Sequence, residues 1–352
     1  MKYKLPLFFG ILFCCVTNVA FANRGAFDLE RWDTIIQKIR INATNQNISK
    51  SVIDETLKSP SIIPGIIKSD KNQSEFTLTL EQYLDRTVST ERVKTGHKKA
   101  TEYPTLLSRV ENRYNIPRNV ILAFWGMESN YGVVKSRYQL TNAFLTLIYD
   151  GRREEFFTKQ LITLMKIADK NKLPINSIHG SWAGAMGHFQ FIPTTLAQYG
   201  VDGNNDGRID IINSVGDAMM SAGNYLNKLG WNKNEPIIKP VILPANFDRT
   251  VLNGDVKKSF SQWSQMGVTN IDGTPIKQSE TIVGLIADTK EIAKRDLYQP
   301  QRMDETQTLD TDVAPAPVIK AYLTYPNFYR IKKWNNSSWY AIAIGELSEK
   351  LK

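Results

Sequence analysis

Residues 119–131 read Asn-Val-Ile-Leu-Ala-Phe-Trp-Gly-Met-Glu-Ser-Asn-Tyr, a stretch in which apolar residues predominate. Pro117 is suited to the first turn of a helix and Gly132 is placed to end it, so the sequence predicts one helix here. Glu128 is the only charged residue in the stretch. A lone glutamate among apolar residues is the first candidate for a functional side chain.

Helical spacing places Glu128 on one face with Ile121, Phe124 and Trp125. This apolar face predicts that Glu128 is at least partly buried. Burial disfavours the carboxylate and raises its pKa, which suits a general acid working near neutral pH. A structural glutamate paired with a buried arginine explains the same spacing, and periodicity alone does not separate the two readings.

Short motifs extend from residue 116 to residue 341. They are Ile116-Pro117, Gly126-Met127-Glu128-Ser129-Asn130-Tyr131-Gly132, Arg152-Arg153 with Glu155-Phe156-Phe157, Gly180-Ser181-Trp182-Ala183-Gly184-Ala185-Met186-Gly187, Gln190-Phe191-Ile192-Pro193, Asn327-Phe328-Tyr329, and Asn335-Asn336-Ser337 with Tyr340-Ala341. Together they resemble the lytic murein transglycosylases, and the pattern is similar to the membrane-bound lytic transglycosylase B family in a soluble form. The resemblance implies an α+β, mainly α fold with a lysozyme-like core, and Glu128 as the single acid/base.

Composition and periodicity divide the chain into five units. They are a signal peptide at 1–22, a helical N-terminal subdomain at 23–102, the catalytic core at 103–235, a small β-rich subdomain at 236–325 with an exposed insertion at 288–317, and a C-terminal segment at 326–352 that packs back on the core. Helices are predicted at 27–41, 49–57, 80–98, 103–114, 193–199, 214–229 and 338–351, strands at 237–243 and 281–286, and turns at Asn253-Gly254 and Asp272-Gly273.

The stretch from Ser181 to Gly187 packs small residues between Trp182 and Met186, which lets another chain approach the backbone closely. A sugar ring fits such a surface, and so does close helix packing. By resemblance, Ser181 matches a serine that binds the N-acetyl group of the muramoyl ring, and Gln190 matches a glutamine that lines the cleft.

The resemblance also assigns residues outside the core. Asn335 matches an asparagine that reaches the same acetamido group, and Tyr340 belongs to the motif that follows it. Tyr149 and Trp182 are candidate stacking surfaces for sugar rings, and core packing explains either of them equally well.

The loop Asp202-Gly203-Asn204-Asn205-Asp206-Gly207-Arg208-Ile209-Asp210 follows the EF-hand pattern. The calcium ligands that this pattern predicts are Asp202, Asn204, Asp206, the backbone of Arg208, Asp210 and position twelve. Asn213 stands at position twelve in place of the usual bidentate glutamate, so affinity is lowered or another acid such as Asp217 completes the site. We expect structural calcium here and no cofactor for catalysis; a solvated acidic turn is the alternative.

Other catalytic classes fit poorly. His179 and His188 lack the helical pairing and the third ligand of a catalytic zinc site. Both cysteines, Cys14 and Cys15, lie in the predicted signal peptide, so the mature protein has no thiol for catalysis.

The amino terminus has a basic start, a short apolar run and the triplet Ala20-Phe21-Ala22. The apolar run is too short for a spanning helix, so a cleaved signal peptide and a soluble periplasmic enzyme of a Gram-negative bacterium are predicted. Phe13 precedes Cys14, which argues against a lipid anchor. The formal charge of +9 is scattered, which favours an acidic cell-wall polymer over nucleic acid.

The predicted reaction is cleavage of the β-1,4 bond between N-acetylmuramic acid and N-acetylglucosamine in peptidoglycan glycan strands. Ordinary glycosidases use two carboxylates, and only Glu128 is persuasive; Asp150, Glu154 and Glu155 are merely near in sequence. The resemblance implies that one glutamate suffices, because the muramoyl C6 hydroxyl attacks its own C1. A goose-type lysozyme and a non-catalytic peptidoglycan-binding module are the rivals, and other cell-wall enzymes are expected partners.

Overall fold

The computed structural model describes residues 27–71, 78–133, 137–290, 292 and 319–352. The predicted signal peptide at 1–22 lies outside the described residues. The fold is mainly helical with two small sheets, as the sequence predicted. No helix in the described part of the chain is long and apolar enough to cross a bilayer.

The amino-terminal part of the chain consists of helices. They are α1 (Leu29–Asn45), α2 (Lys50–Thr56), α3 (Pro64–Lys71), α4 (Leu80–Thr87), α5 (Thr90–Glu102) and α6 (Pro104–Tyr114). The single helix predicted at 80–98 is wrong, because the chain breaks at Val88 and Ser89. The Ser89 hydroxyl caps α5 by accepting a hydrogen bond from the Arg92 N–H. Helix α3 was not predicted.

Five helices form the central part: α7 (Arg118–Ser129), α8 (Leu140–Asp150), α9 (Glu154–Asn171), α10 (Pro193–Tyr199) and α11 (Val215–Lys228). Helix α7 carries Glu128 and ends earlier than predicted. Asn130 and Tyr131 adopt left-handed backbone conformations, so the helix stops before Gly132 is reached. Strand β1 (Tyr138–Gln139) pairs with β2 (His179–Gly180) and brings the segment that begins at Ser181 beside α8.

A four-stranded antiparallel sheet lies in the predicted β-rich segment. Its strands are β3 (Ile238–Leu243), β4 (Asn253–Ser259), β5 (Ile282–Ala287) and β6 (Ile319–Thr324), in the order β3-β6-β5-β4. Together with helix α12 (Phe260–Gln265) it buries a second, smaller core around Trp263. The boundaries of the predicted domains themselves stay predictions.

Two turn predictions in this sheet had different outcomes. Asp272-Gly273 does form a turn, in which the Gly273 N–H donates to the Asn270 carbonyl. The turn predicted at Asn253-Gly254 is wrong, since Asn253 begins β4 and pairs with Ile286. A bulge follows Asn253, so the sequence signal marked an irregular strand instead of a turn.

The insertion predicted at 288–317 is not exposed at its start. Asp288 is buried, and its carboxylate accepts a hydrogen bond from the Leu80 N–H at the beginning of α4. Ile292 is buried as well. Residues 293–317 lie outside the described residues.

The chain ends in two helices that complete the main core, α13 (Pro326–Trp334) and α14 (Ser338–Lys350). The prediction that the last helix packs onto an earlier element is confirmed, because α14 packs against α7. Asn327 anchors α13: it is fully buried, accepts from the Asn232 N–H and donates to the Asn232 and Glu235 carbonyls. These contacts set the position of Trp334 at the end of α13.

Candidate active site

Glu128 lies in the last turn of α7 and is partly buried, as predicted. Two side chains from the carboxy-terminal helices donate hydrogen bonds to it. The Tyr340 hydroxyl lies 2.5 Å from Oε1, and the Trp334 indole nitrogen Nε1 lies 2.9 Å from the same oxygen. The structure therefore brings Tyr340, a predicted site residue, into direct contact with Glu128.

Aromatic rings form the walls around this carboxyl. The ring of Phe124 lies 4.8 Å from that of Trp334 and 6.2 Å from that of Tyr340, measured between centroids. Trp125, which was predicted to share the face of Glu128, makes other contacts: its Nε1 donates to Nδ1 of His188 at 3.0 Å. The apolar environment of Glu128 is thus assembled from distant segments as well as from its own helix.

These surroundings explain why the pKa of Glu128 is raised. Burial raises its pKa from 4.5 to about 7, and the hydrogen bonds from Tyr340 and Trp334 partly offset that rise because they stabilise the carboxylate. Within the described part of the chain, no arginine or lysine forms an ion pair with Glu128. The reading of Glu128 as the partner of a structural arginine therefore has no support in these contacts.

The glycine-rich segment forms a tight turn next to α8. The Ser181 hydroxyl oxygen accepts a hydrogen bond from the Ala185 N–H at 3.0 Å, which leaves the hydroxyl hydrogen for another acceptor. Gly184 has a φ of +92°, and a Cβ there would meet the Phe144 ring. The turn consequently depends on glycine at this position and presents Ser181 in a fixed place.

A backbone bridge links this turn to the rings around Glu128. Met186 and Phe191 pair as an isolated antiparallel bridge, and the Phe191 ring lies 5.2 Å from that of Trp334. Gln190, which the resemblance places in the cleft, precedes Phe191 and has a left-handed backbone with φ of 49°. Its amide donates to the Gly187 carbonyl. Ser181 and Gln190 are thus tied through one short segment to the site of Glu128.

The other two predicted binding residues differ in their placement. Asn335 is exposed and directly follows Trp334, so it lies one residue from a hydrogen-bond donor to Glu128. Tyr149 instead stacks on Phe27 with ring centroids 5.4 Å apart, and its hydroxyl accepts from the Asp28 N–H. In the described residues its contacts are with the start of α1, and none of them joins it to Glu128.

The acidic loop is held by its own backbone. Asp202 accepts hydrogen bonds from the Asp206 and Gly207 N–H groups, and Asp210 accepts from the amide of Asn213, the residue at position twelve. In the part of the chain that the structure describes, no three acidic, histidine or cysteine side chains are grouped to hold a metal ion. The loop supplies hard oxygen donors suited to calcium, with one carboxylate fewer than an EF-hand.

Asp217, considered above as a replacement ligand, has another role. Its fully buried carboxylate accepts hydrogen bonds from the Gly203 and Asn204 N–H groups at one oxygen and from the Asp210 N–H at the other. Both oxygens are therefore engaged with the loop backbone. Asp217 therefore organises the loop backbone, and its part in completing a calcium site stays a prediction.

The two histidines considered for zinc are engaged separately. Nδ1 of His179 lies 2.8 Å from the Ser177 carbonyl, whereas His188 packs against Trp125 and Gly132. Burial and, to a smaller extent, the charge of Lys99 lower the pKa of His188. These contacts give both imidazoles structural partners.

The chain has a mainly helical, lysozyme-like fold, and its candidate site is a desolvated glutamate with uncharged hydrogen-bond donors. The chain belongs to the transglycosylase SLT domain family, whose model matches residues 31–349. The resemblance drawn from the sequence motifs is thereby confirmed.

The chain is similar in sequence to two bacterial proteins. Membrane-bound lytic murein transglycosylase B of Escherichia coli is 29% identical over 272 residues, which cover 76% of this chain and 66% of that protein, slightly under two thirds of its length. SltB3 of Pseudomonas aeruginosa, solved in complex with NAG-NAM-pentapeptide, is 32% identical with a TM-score of 0.78, covering 91% of this chain and 79% of that one. It was also solved with NAG-anhNAM-pentapeptide.

A more distant structure supports the fold alone. Lytic transglycosylase Slt35 of Escherichia coli, solved in complex with calcium, is 24% identical and has a TM-score of 0.72. The match covers 91% of this chain and 92% of that chain.

Sequence reasoning missed Trp334. Its contact with Glu128 joins residues that lie 206 positions apart, and helical periodicity does not report such contacts. The available signal was its position immediately before the motif Asn335-Asn336-Ser337.

Replacing Glu128 with glutamine should change how stability depends on pH. Below about pH 4.5 the folded and unfolded wild-type chains are both protonated at this group, so its burial costs little; between about pH 4.5 and about pH 7 only the unfolded chain ionises, and stability falls as pH rises. We expect Glu128→Gln to be more stable than wild type by about 3 kcal/mol at pH 8, with a much smaller difference at pH 4.

Urea denaturation of both proteins at the two pH values measures this difference. Glu155→Gln, on the exposed surface of α9, is the matched control and should leave the pH dependence unchanged. An identical pH dependence for wild type and Glu128→Gln would contradict the burial of the ionisable group.

Proposed function

We propose that the chain is a lytic transglycosylase that cleaves the β-1,4 bond between N-acetylmuramic acid and N-acetylglucosamine in peptidoglycan. In this proposal Glu128 is the only acid/base, and the product carries a 1,6-anhydromuramoyl end. The observation that carries it is the Glu128 carboxyl, whose pKa is raised to about 7 and whose partners are two uncharged donors. Such a group can exist in both protonation states at neutral pH, as a residue that donates and then accepts a proton must.

The reaction proceeds in two balanced steps. The Glu128 carboxylic acid gives its proton to the glycosidic oxygen as the bond from that oxygen to the muramoyl C1 breaks, and the acetamido group assists the departure. The Glu128 carboxylate then takes the proton of the C6 hydroxyl while O6 bonds to C1. The glutamate ends as it began, and no water is consumed.

The neighbouring acids support a single-carboxylate route. Asp150 is paired with Arg152 and Lys71, and Glu154 is paired with Arg31. Glu155 lies on the exposed surface of α9. None of the three has the desolvated, uncharged surroundings of Glu128, so none is a good second carboxylate for an ordinary glycosidase mechanism.

The binding residues have distinct proposed roles. Ser181 has a hydroxyl hydrogen to offer the N-acetyl carbonyl of the muramoyl ring, and Asn335 approaches the same group from the end of α13. Gln190 lines the cleft beside Phe191, and Tyr340 orients Glu128 and borders the sugar. The ligands named for SltB3, NAG-NAM-pentapeptide and NAG-anhNAM-pentapeptide, fit the substrate and the product class proposed here. The role of Tyr149 in stacking stays a prediction.

We further propose that the enzyme acts in the periplasm of a Gram-negative bacterium after removal of residues 1–22. Its partners are the glycan strands, and other cell-wall enzymes are expected to work with it. Calcium is proposed as a structural ion of the 202–213 loop, held by oxygens of Asp202, Asn204, Asp206, Asp210 and the Arg208 backbone. It takes no part in the proton transfers.

Products from purified sacculi decide between this proposal and its rivals. We expect muropeptides that are lighter by one water than hydrolysed products, because O6 replaces water as the nucleophile. Glu128→Gln should lower the rate by roughly 10⁴-fold or more, since one residue serves both steps and general acid/base catalysis alone contributes about 10²–10⁴-fold. Mass spectrometry of the wild-type and variant digests provides the measurement.

The alternative outcomes are distinct. Reducing ends in place of anhydro ends would identify a goose-type lysozyme activity. Binding of sacculi without any cleavage would identify a peptidoglycan-binding module. Near-normal cleavage by folded Glu128→Gln would remove Glu128 from the mechanism.

Ser181→Ala should reduce turnover because the N-acetyl group is oriented less firmly. The lost hydrogen bond should raise the free energy of activation by about 1–3 kcal/mol. Ser181→Thr keeps the hydroxyl and should recover most of the activity. Ser177→Ala removes a nearby exposed hydroxyl and serves as the control. Full activity of Ser181→Ala on purified glycan strands would show that the acetamido pocket lies elsewhere.

Calcium added to chelator-treated protein should raise the melting temperature, with stabilisation of about 2.7 kcal/mol at a hundredfold excess over the dissociation constant. Asp206→Ala should abolish this response because it removes a side-chain ligand. Arg208→Ala should retain it, since position seven contributes its backbone carbonyl. A melting temperature insensitive to calcium in the wild type would refute the proposed site.

A further inference from the structure

We propose that Trp334 is a positioning residue that confines the transferable proton of Glu128 to one oxygen, Oε2. The inference rests on the proposed function, in which that proton opens the reaction. It concerns which oxygen of the Glu128 carboxyl holds the proton before transfer. Knowing that Glu128 is the acid does not answer that question.

The geometry assigns different tasks to the two carboxyl oxygens. Oε1 accepts both hydrogen bonds, from Tyr340 at 2.5 Å and from Trp334 at 2.9 Å. These two bonds use the two lone pairs of a carboxyl oxygen. In the described residues Oε2 has no hydrogen-bond partner, and it is not sealed from solvent. Oε2 is therefore the oxygen available to a substrate.

Trp334 and Tyr340 are not equivalent in this arrangement. A phenol hydroxyl can rotate and accept a hydrogen bond, so Tyr340 alone tolerates a proton on either oxygen. An indole N–H can only donate. A proton on Oε1 would turn that oxygen into a hydroxyl, which is a weaker acceptor for the Trp334 N–H than a carbonyl oxygen, and this exchange is unfavourable in a partly buried site. The donor-only indole is thus the group that selects Oε2.

The indole is held firmly enough to impose this choice. Its ring lies 4.8 Å from that of Phe124 on α7, 5.2 Å from that of Phe191 and 4.9 Å from that of Tyr225 on α11, with Tyr225 stacked at 30°. Three separate parts of the chain therefore fix the plane of the ring. Trp334 also ends α13, which Asn327 anchors to the segment before the sheet.

The titratable groups around Glu128 do not compete for this role. Tyr340 faces it from α14 and Tyr83 from α4, and burial followed by the charge of Glu128 raises the pKa of both phenols. Arg92 on α5 is the cation that acts on Tyr83. Both phenols consequently stay neutral while Glu128 titrates, and a change in its titration reports the loss of the indole donor.

Two substitutions remove the donor. Trp334→Phe removes the N–H and part of the ring, and incorporation of 3-benzothienylalanine at position 334 replaces only the N–H by sulfur in a ring of the same shape. Trp263→Phe is the matched control, because Trp263 also donates its N–H, to the Val283 carbonyl, but lies in the second core.

Carbon-13 NMR of protein labelled at the glutamate carboxyl gives a readout independent of activity. The Glu128 signal is the one that disappears in Glu128→Gln. We expect both Trp334 substitutions to shift its titration to higher pH by about one unit, since a hydrogen bond that stabilised the carboxylate is lost. The alkaline limb of kcat/KM should move by the same amount, and kcat should fall about tenfold with KM nearly unchanged.

The controls keep the possible failures separate. Trp263→Phe should move neither the titration nor the alkaline limb. If the benzothienyl variant keeps the wild-type titration and pH profile, the inference is wrong, whatever Trp334→Phe does to folding. If the wild type releases no anhydromuropeptides, the proposed function fails while the NMR titration still tests the part played by Trp334.

Discussion

The desolvation of one carboxyl is the constraint on which the rest of the site depends. Burial raises the pKa of Glu128 to about 7, and the only hydrogen bonds to it in the described residues come from uncharged groups. A lysine or arginine at the same distance would lower the pKa and hold the carboxylate permanently ionised. Neutral donors instead orient the group while leaving both protonation states accessible, which is the condition for acid and base roles in one residue.

This constraint explains the architecture of the carboxy-terminal segment. The donors Trp334 and Tyr340 arrive on α13 and α14, more than 200 residues after Glu128 in the chain. In the sequence, the four-stranded sheet with its separate core lies between Glu128 and these two donors. Asn327 anchors α13 by its hydrogen bond to the Asn232 carbonyl. Packing of α14 against α7 partly buries the Glu128 carboxyl and places the Tyr340 hydroxyl on its Oε1.

The sequence predicted what local pattern determines. Helix α10 was predicted with its actual bounds, and α11 to within one residue at each end, because Pro193 and the Ser214 cap mark their starts. The pattern missed the break at Ser89, which is a local helix cap. It also missed the bulge after Asn253 and the burial of Asp288, which depend on contacts with distant residues. The apolar run around Glu128 predicted that this residue is at least partly buried. Periodicity did not predict the contact of Trp334 with Glu128, because the two residues are far apart in the sequence. Tyr149 packs against Phe27 beside the start of α1, and its role as a stacking surface for sugar stays a prediction.

We propose that one carboxyl, that of Glu128, performs both proton transfers. A crystal structure of the wild-type protein with a glycan tetrasaccharide in which sulfur replaces the scissile oxygen tests it most directly. We predict that Glu128 Oε2 lies within about 3 Å of that sulfur. The C6 hydroxyl of the muramoyl ring should face C1, with no aspartate or glutamate on the opposite side of the sugar. A second carboxylate across the scissile bond, about 5–10 Å from Glu128 as in ordinary glycosidases, would contradict it.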